Sequence, residues 1–553
     1  MPAADRPLRP AATLIVVRET VPAGMEVLLM RRAPRGDQFS GAWVFPGGQV
    51  DAGDRQSHGY CAGLDDAAAS LRLTLAQGGL DYYIAAIREC FEEAGILFAA
   101  PAASAADSLS QDYSTEAAQW RAALQRGEHD WNSLCQRFGL RLNVAELHYL
   151  SHWITPPGMP KRFDTRFFLA GLPAGQNATH DGTELVEQQW IAPADALARS
   201  RELKLVDVTH HTLATLTQFQ SVAALLDWVR EPRNIPMTLP RRALSAEGHR
   251  LVLPHEWAWA EIGRLDPDGQ GTVSCELTAG VAVRLSARVI RVTANNGSLM
   301  TGPGTNSYLV GGGAANEWAV IDPGPHDEHH VGALLAAAPG PIRWILATHS
   351  HKDHSPAVAL LKARTGARVY GRIADHAQWQ DATFVPEQVL TDGQRISLPG
   401  PCTLRAIHTP GHASNHFCYL LEEEKLLFTG DQVMQASTVV INPPDGNMAA
   451  YLRSLSALLN EDLDWLAPGH GFLMAEPASA ITHVIQHRHR REAKVLRVLH
   501  SHEPIGEDEL LARVYDDVAA PLHSLARRSL LAHLFKLREE GMAGESEGLW
   551  RCG

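Results

Sequence analysis

The chain has 553 residues, of which 45% are hydrophobic and 20% are charged, and its formal net charge is -13. A chain of this length exceeds one hydrophobic core, so we expect two to four globular domains. The negative charge disfavours non-specific binding of the whole molecule to nucleic acid or anionic lipid. No apolar run reaches transmembrane length, and the seven cysteines are scattered without a CxxC motif. These features predict a cytoplasmic protein with no signal peptide and no membrane partner.

The first predicted elements are strands at residues 12–17 and 26–30, which form a hairpin. A Phe-Pro-Gly-Gly turn follows at residues 45–48. After an insertion, a helix runs over residues 85–94 and stops at Gly95, a residue that suits a left-handed C-cap.

Three acidic residues of this helix, Glu89, Glu92 and Glu93, occupy positions i, i+3 and i+4. Their carboxylates therefore lie on one helix face, where like charges cost stability unless a cation neutralises them. Magnesium or manganese suits several carboxylates together with a phosphate. A solvated acidic face is the simpler alternative.

The glycine at 48, Asp54 and the segment 88–95 resemble the Nudix box. Two departures are visible: Asp54 stands where the family has glutamate, and residues 55–87 separate it from Arg88 where the family has seven positions. The resemblance implies a Nudix α/β/α sandwich in which Mg²⁺ or Mn²⁺, held by Glu89, Glu92 and Glu93, orients a diphosphate. One of these glutamates would activate water, and Arg88 would tie the loop to the helix.

The long insertion and the segments 153–157 and 162–168 are similar to the coenzyme A diphosphatase branch of the Nudix family. That branch has an arginine before its Phe-Pro-Gly-Gly run, where this chain has Asp37. Glu184 or Glu187 is an open candidate for a further metal ligand.

Domain boundaries are predicted from the prolines at 232, 236 and 240, which interrupt a helical pattern. We expect a Nudix-like domain with insertions at residues 8–230 and a linker with junction strands at residues 231–283.

The second half contains a dense group of histidines. An apolar strand at residues 344–347 leads into Thr348, and the loop that follows carries His349, His351, Asp353 and His354. The first two histidines are two residues apart, so in extended backbone they face the same side. Imidazole and carboxylate at this density suit a divalent transition metal, zinc above all.

Three more polar residues, His412, Asp431 and His470, each follow an apolar run on a turn marked by glycine or proline. Such turns are where a scaffold presents side chains to a shared cleft. The alternative is a set of scattered surface histidines.

The pattern HxHxDH, His, Asp, His in this order resembles the metallo-β-lactamase superfamily. The resemblance implies two Zn²⁺ ions. His349, His351 and His412 would hold one ion. Asp353, His354 and His470 would hold the other, and Asp431 would bridge them. Zinc lowers the pKa of a bound water toward about 7, and Asp353 and Asp431 are acidic ligands that can also accept its proton. The run Gly-Thr-Asn-Ser-Tyr-Leu-Val at 304–310 resembles the beta-lactamase-like protein 2 branch, which includes ribonucleases and thioester hydrolases.

The last part of the chain predicts a long basic helix, two further helices at 507–514 and 522–540, and a glycine-rich hairpin. This order is typical of a winged helix, and it too resembles the C-terminal domain of that branch. Residues 477–553 carry 11 Lys and Arg against 11 Asp and Glu. A packing or lid role is therefore at least as well supported as duplex binding.

Together these patterns predict an α/β multidomain protein. A metallo-β-lactamase αββα sandwich at 284–476 follows the Nudix sandwich, and a small winged helix occupies 477–553.

The preferred function is a bifunctional metal-dependent hydrolase that acts on thioesters or phosphoesters in one domain and on diphosphates in the other. Its partners would be small molecules of the coenzyme A type or linked to a nucleoside diphosphate. Two alternatives stay open: an endoribonuclease whose Nudix domain handles nucleotides, and a zinc hydrolase regulated by a ligand-sensing Nudix module. RNA is thus a possible substrate, and the sequence leaves the oligomeric state open.

Overall fold

The computed structural model describes residues 6–21, 24–34, 39–101, 111–435, 438–501 and 503–553. The chain forms two compact units. The first falls within Met1–Arg242, His249–Pro254 and Pro267–Thr272, and the second within Ala243–Gly248, His255–Asp266 and Val273–Gly553.

The first unit is built on an eight-stranded mixed sheet with a separate two-stranded sheet beside it. The strands in chain order are β1 (Leu8–Thr20), β2 (Gly24–Arg32), β3 (Trp43–Val44), β4 (Gly47–Gln49), β5 (Ala99–Pro101), β6 (Leu140–Leu142), β7 (His148–Ile154), β8 (Arg162–Gly171), β9 (Leu185–Ile191) and β10 (Met237–Thr238). The main sheet has the order β10-β7-β8-β1-β2-β3, with β4 paired to β1 and β9 paired to β2, while β5 pairs with β6. Strand β1 is antiparallel to β2 and parallel to β8.

Helices cover both faces of the main sheet. They are α1 (Asp66–Arg72), α2 (Gly79–Ala94), α3 (Gln111–Gln125), α4 (Trp131–Phe138), α5 (Pro193–Ala198), α6 (Asp207–Leu216) and α7 (Val222–Arg230). Because side chains alternate along β1, Leu14 packs in one core with Ile87 of α2, and Ile15 packs in another with Leu213 of α6. The result is the predicted α/β/α sandwich. Helix α2 ends at Gly95, whose φ of 71° is the expected left-handed C-cap.

The predicted linker contains more regular structure than short strands alone. Strands β11 (Arg241–Ser245) and β12 (Gly248–Val252) form a two-stranded sheet. Helix α8 (Trp259–Leu265) belongs to the second unit and buries Ile262.

Two sheets form the centre of the second unit. The seven-stranded sheet runs in the order β13 (Ala282–Arg284), β14 (Val289–Thr293), β15 (Asn306–Gly312), β16 (Glu317–Ile321), β17 (Ile342–Leu346), β18 (Arg368–Gly371) and β19 (Gln388–Val389). The six-stranded sheet runs in the order β20 (Arg395–Leu398), β21 (Cys402–His408), β22 (Phe417–Leu421), β23 (Leu426–Gly430), β24 (Trp465–Pro468) and β25 (Met474–Ala475).

Alternation along the strands places these sheets in four layers. Tyr308 of β15 and Tyr419 of β22 share the core between the sheets. Leu309 packs outward against α9 (Glu328–Ala337) and α10 (Val358–Thr365). Leu420 packs outward against α11 (Met448–Leu458) and α12 (Pro477–His500). The sheets and helices therefore form the predicted αββα sandwich.

The C-terminal part has its own core, which includes Val495, Leu511 and Trp550. Its remaining elements are β26 (Ile505–Gly506), α13 (Glu507–Val514), α14 (His523–Glu539), β27 (Ala543–Ser546) and β28 (Leu549–Cys552). The three strands pair in the order β26-β28-β27, which completes a winged helix. Among the described residues, no helix combines the length and the apolarity needed to cross a membrane.

Candidate functional sites

Four strands of the second unit end at one polar cluster. His349 and His351 follow β17, and His412 follows β21. Asp431 and His470 follow β23 and β24. The structure brings together all seven residues that the sequence singles out here. Their potential ligand atoms form two groups, each within 4.8 Å: His349, His351 and His412; and Asp353, His354, Asp431 and His470.

Asp431 lies between the two groups. Its Oδ2 is 3.5 Å from Nε2 of His412, and its Oδ1 is 3.4 Å from Nε2 of His354 and 3.3 Å from Nε2 of His470. Asp353 completes the second group, with Oδ2 3.4 Å from Nε2 of both His354 and His470. One carboxylate thus faces both groups, one oxygen toward each.

Hydrogen bonds orient the rings of three of these histidines. Nδ1 of His354 donates to Asp322 over 2.9 Å, and Nδ1 of His412 and His470 donate to backbone carbonyls over 2.8 and 3.1 Å. When these three rings are neutral, each Nε2 carries the lone pair and faces the centre, as in metal-binding histidines.

Several buried atoms of the cluster have no hydrogen-bond partner among the described residues. They are Nε2 of His349, His354 and His470 and Oδ1 of Asp431. Buried polar atoms are rarely left unsatisfied. Imidazole nitrogens and carboxylate oxygens that converge in this way fit divalent metal ions.

Electrostatics also favour a cation at this centre. Burial lowers the pKa of His470, yet Asp431 and Asp353 outweigh it and raise that pKa to about 9. Burial and the neighbouring imidazoles lower the pKa of His349 well below its ordinary value. The carboxylates therefore favour a cation beside them. A bound metal ion would provide that positive charge while every histidine stays neutral.

Asp322 is a site residue to which the sequence analysis assigns no role. It follows β16, has a positive φ of 51°, and accepts hydrogen bonds from His354, from the Thr348 amide at 2.7 Å and from the Thr348 hydroxyl at 2.8 Å. A polar residue in an Asp-Pro-Gly turn directly after a buried strand is the signal that marks it.

A cavity of about 340 Å³ opens beside this centre and is lined by His412 and Asp431. Its other walls come from a loop, from the segment after Asp431 and from the winged helix. They include Leu299, Met300, Met434, His487, Arg488, Arg491, Tyr515, Leu522 and Leu525. The winged helix therefore supplies part of the wall of a cavity next to the candidate metal centre.

In the first unit, Arg88 organises the acidic face of α2. It donates to Asp54 over 2.9 Å, to Glu89 over 2.8 Å, to Glu92 over 3.4 Å and to the Gln49 carbonyl over 2.8 Å. Arg88 therefore ties the loop to the helix, and Asp54 pairs with it across the long insertion.

The third glutamate, Glu93, accepts from the Gly47 amide over 2.8 Å. Glu89 lies so close to Gly48 that a side chain there would overlap its carboxylate. Burial raises the pKa of Glu92 to about 7 and the pKa of Glu93 well above its ordinary value. A cation would relieve this crowding of buried carboxylates.

In the described part of the chain, groups of three or more candidate ligands within 4.8 Å occur only at the second-unit centre, and the α2 glutamates do not form one. Arg88 binds Glu89 and Glu92, and Glu93 accepts a hydrogen bond from the Gly47 amide instead. Of the two further candidates, Glu184 is near enough to raise the pKa of Glu89 and Glu93 electrostatically, while Glu187 pairs with Arg31 over 2.7 Å. Asp37 lies outside the described residues.

Comparisons with known proteins agree with these three folds. Residues 300–470 match the metallo-beta-lactamase superfamily, residues 66–207 match the NUDT19 Nudix domain, and residues 507–550 match the beta-lactamase associated winged helix domain.

Individual relatives cover parts of the chain. A beta-lactamase-like protein 2 homolog of Drosophila melanogaster is 31% identical over 272 residues, which are 47% of this chain and 90% of that protein. An atrochrysone carboxyl ACP thioesterase of Aspergillus fumigatus is 34% identical over 218 residues, 39% of this chain and 66% of that protein. A NUDIX hydrolase structure from Alicyclobacillus acidocaldarius is 26% identical, with a TM-score of 0.33, over 40% of this chain and 97% of that one.

The αββα fold and these matches define an enzyme with hydrolase activity. The chain belongs to the metallo-β-lactamase superfamily, and it joins that domain to a NUDT19-type Nudix domain and a β-lactamase-associated winged helix. The predicted families and fold class are thereby confirmed.

Proposed function

We propose that the second unit hydrolyses small thioesters at a centre of two divalent metal ions, zinc by the character of the ligand atoms. The observation that carries this proposal is the cavity of about 340 Å³ beside His412 and Asp431. A cavity of this size suits an acyl group and has no room for an extended polynucleotide. The name of the Aspergillus fumigatus relative, an ACP thioesterase, supports the same substrate class.

The seven residues of the centre would hold two metal ions. His349, His351 and His412 would hold one ion, Asp353, His354 and His470 the other, with Asp431 between them. When bound, zinc supplies a Lewis acid and makes water available as a nucleophile near neutral pH.

The cavity walls supply binding and exclusion of water. Leu299, Met300 and Met434 present apolar surface to an acyl chain. Asp353 has an exposed fraction of 27%, so it is the acidic residue of the centre that is open enough to exchange a proton with solvent.

For the first unit, we propose hydrolysis of a diphosphate of the coenzyme A type with Mg²⁺ or Mn²⁺ held by Glu89, Glu92 and Glu93. A second cavity, of about 480 Å³, supports this function. It contains Gly47, whose amide binds Glu93, and it combines aromatic with cationic walls. These walls include Trp153, Phe163, Phe167, Lys161 and Arg242. Aromatic surface suits a nucleobase, and the cations suit phosphate.

The test is a substrate panel on the purified chain. Acyl-coenzyme A, acyl carrier protein thioesters and single-stranded RNA are compared at two salt concentrations, with Asp431→Asn as the inactive control. We expect thioester hydrolysis that Asp431→Asn abolishes. RNA cleavage abolished by Asp431→Asn, without thioester turnover, would replace this proposal with the endoribonuclease alternative.

A further inference from the structure

Arg488 is a buried cation in the wall of the cavity that also contains His412 and Asp431. It lies on α12 with an exposed fraction of only 3%. Its guanidinium donates to the Val439 carbonyl and lies 5.4 Å from the centroid of the Tyr451 ring. Its Nε has no hydrogen-bond partner among the described residues. The side chain is therefore held in place but incompletely satisfied.

The neighbouring charges on α12 are compensated. Arg491, also in the cavity wall, pairs with Asp517 through contacts of 2.7 and 3.0 Å. Glu492 pairs with Lys536 over 2.8 Å and with His533 over 3.2 Å.

Arg488 differs from these neighbours. Within the described part of the chain, no carboxylate lies within ion-pair distance of its guanidinium. His487 also lines the cavity, but burial and the adjacent arginines lower its pKa to about 4, so it is neutral at pH 7. Arg488 is thus the cation of this wall that lacks an anion.

A buried guanidinium without a counter-charge is costly, and proteins compensate such groups with an anion. The cavity is the direction from which that anion can arrive. We propose that Arg488 is a specificity-determining residue that binds a carboxylate on the acyl group of the substrate. This inference rests on the proposed thioester hydrolysis and specifies its substrates as thioesters of acidic acyl groups.

The carboxylate is favoured over a phosphate of the carrier for a geometric reason. In an acyl-coenzyme A or an acyl carrier protein, the whole pantetheine arm separates the phosphate from the thioester. Arg488 lines the cavity of about 340 Å³ directly beside the hydrolytic centre, where the acyl group binds, whereas the phosphate is a full pantetheine arm away from that centre. Guanidinium also matches the two oxygens of a carboxylate in a bidentate fork.

The test compares two thioesters of N-acetylcysteamine, which carries no phosphate: the glutaryl ester and the neutral valeryl ester. Wild type should prefer the glutaryl ester. In Arg488→Met that preference in kcat/KM should fall roughly 30-fold or more, mainly through KM, because one partner of a buried charge pair is lost. Arg488→Lys should keep part of it, and Arg490→Met, an exposed arginine on the same helix, should keep all of it.

Other outcomes overturn the inference. Wild type that hydrolyses both esters equally has no carboxylate preference to explain. Equal loss on both esters by folded Arg488→Met assigns the side chain a general role. Glutaryl-coenzyme A is the third substrate: if Arg488→Met loses activity on it but on neither N-acetylcysteamine ester, the side chain binds the carrier phosphate.

A binding measurement separates failure of this inference from failure of the proposed function. Isothermal titration with glutarate and with neutral glutaramide needs no turnover. Glutarate binding that Arg488→Met and Arg488→Lys weaken supports the carboxylate site even if no thioester is hydrolysed. Glutarate that binds wild type no better than glutaramide overturns it, whether or not Arg488→Met folds.

Discussion

Asp322 holds His354 through a hydrogen bond of 2.9 Å between a carboxylate oxygen and Nδ1, and both side chains are buried. Thr348 fixes the carboxylate in turn through its amide and its hydroxyl. These hydrogen bonds connect the end of β16 to the centre through Asp322, which is not itself in either ligand group. Such contacts set the tautomer and orientation of a metal-binding imidazole.

Asp322→Ala should therefore weaken metal binding without removing a candidate ligand. We expect a loss of about 10- to 100-fold in affinity for one ion, measured by competition with a chromophoric chelator. Asp375→Ala, an exposed aspartate of the same domain, is the matched control. Unchanged affinity in Asp322→Ala would show that His354 needs no such support.

His351→Ala should lower the bound metal from two ions per chain and remove most thioester hydrolysis, because the remaining ligands cannot maintain the geometry. Metal content per chain by elemental analysis is the measurement. His408→Ala, a histidine outside both groups, should retain metal and activity. Wild type purified without chelator that carries no zinc, manganese or iron would contradict the metal assignment.

Glu92→Gln should lower the rate of diphosphate hydrolysis about 100-fold or more. Thioester hydrolysis should stay near the wild-type rate, because the two units have separate cores. Both activities are measured on the same preparation, with Glu202→Gln on the surface as control. If a folded Glu92→Gln protein lost both activities, the units would not act independently. If the only change in Glu92→Gln were that a ligand no longer altered the rate of thioester hydrolysis, the Nudix domain would be a ligand sensor.

Arg291→Met should destabilise the second unit strongly. Arg291 and Glu261 are both 2% exposed and share hydrogen bonds of 2.6 and 2.8 Å, and Glu261 also accepts from the Leu473 amide. Loss of one partner leaves a buried charge, which costs about 3–5 kcal/mol. Urea titration should show this loss and a partial recovery in Arg291→Met with Glu261→Gln. Arg343→Met breaks an exposed pair and should cost less than about 1 kcal/mol.

His330 should make stability fall in mild acid. Burial lowers its pKa from 6.5 to about 4 although Asp327 opposes the shift, and its Nε2 lies 2.8 Å from the Ser307 hydroxyl. Between pH 6.5 and 4 the unfolded chain binds a proton here that the folded chain does not. The free energy of unfolding should therefore fall as pH falls through this window, by about 3 kcal/mol in total.

The control for that prediction is the neighbouring histidine. His330→Asn should flatten the dependence of unfolding free energy on pH between pH 6.5 and 4, and His329→Asn, fully exposed, should leave it unchanged. Equal slopes in wild type and His330→Asn would mean that His330 titrates normally in the folded protein.

Local patterns were sufficient to predict the strands that precede the site residues and the order of those residues along the chain. Each residue of the two ligand groups lies close after a strand, and β-strand alternation with glycine or proline turns is readable within a few positions. The glutamates of α2 and its C-cap at Gly95 follow from helical spacing in the same way. The winged helix follows from a short run of three helices and a hairpin.

Tertiary structure alone decided the contacts between distant positions. Asp54 pairs with Arg88 across the insertion, and Asp322 binds His354 from the end of another strand. Arg488 belongs to the C-terminal domain but lines the cavity beside the centre. No local periodicity specifies such pairs, because they depend on how whole layers pack. Burial also depends on how the layers pack. A basic run on a helix predicts a solvated face. Packing against Val439 and Tyr451 instead makes Arg488 a buried cation without a counter-charge.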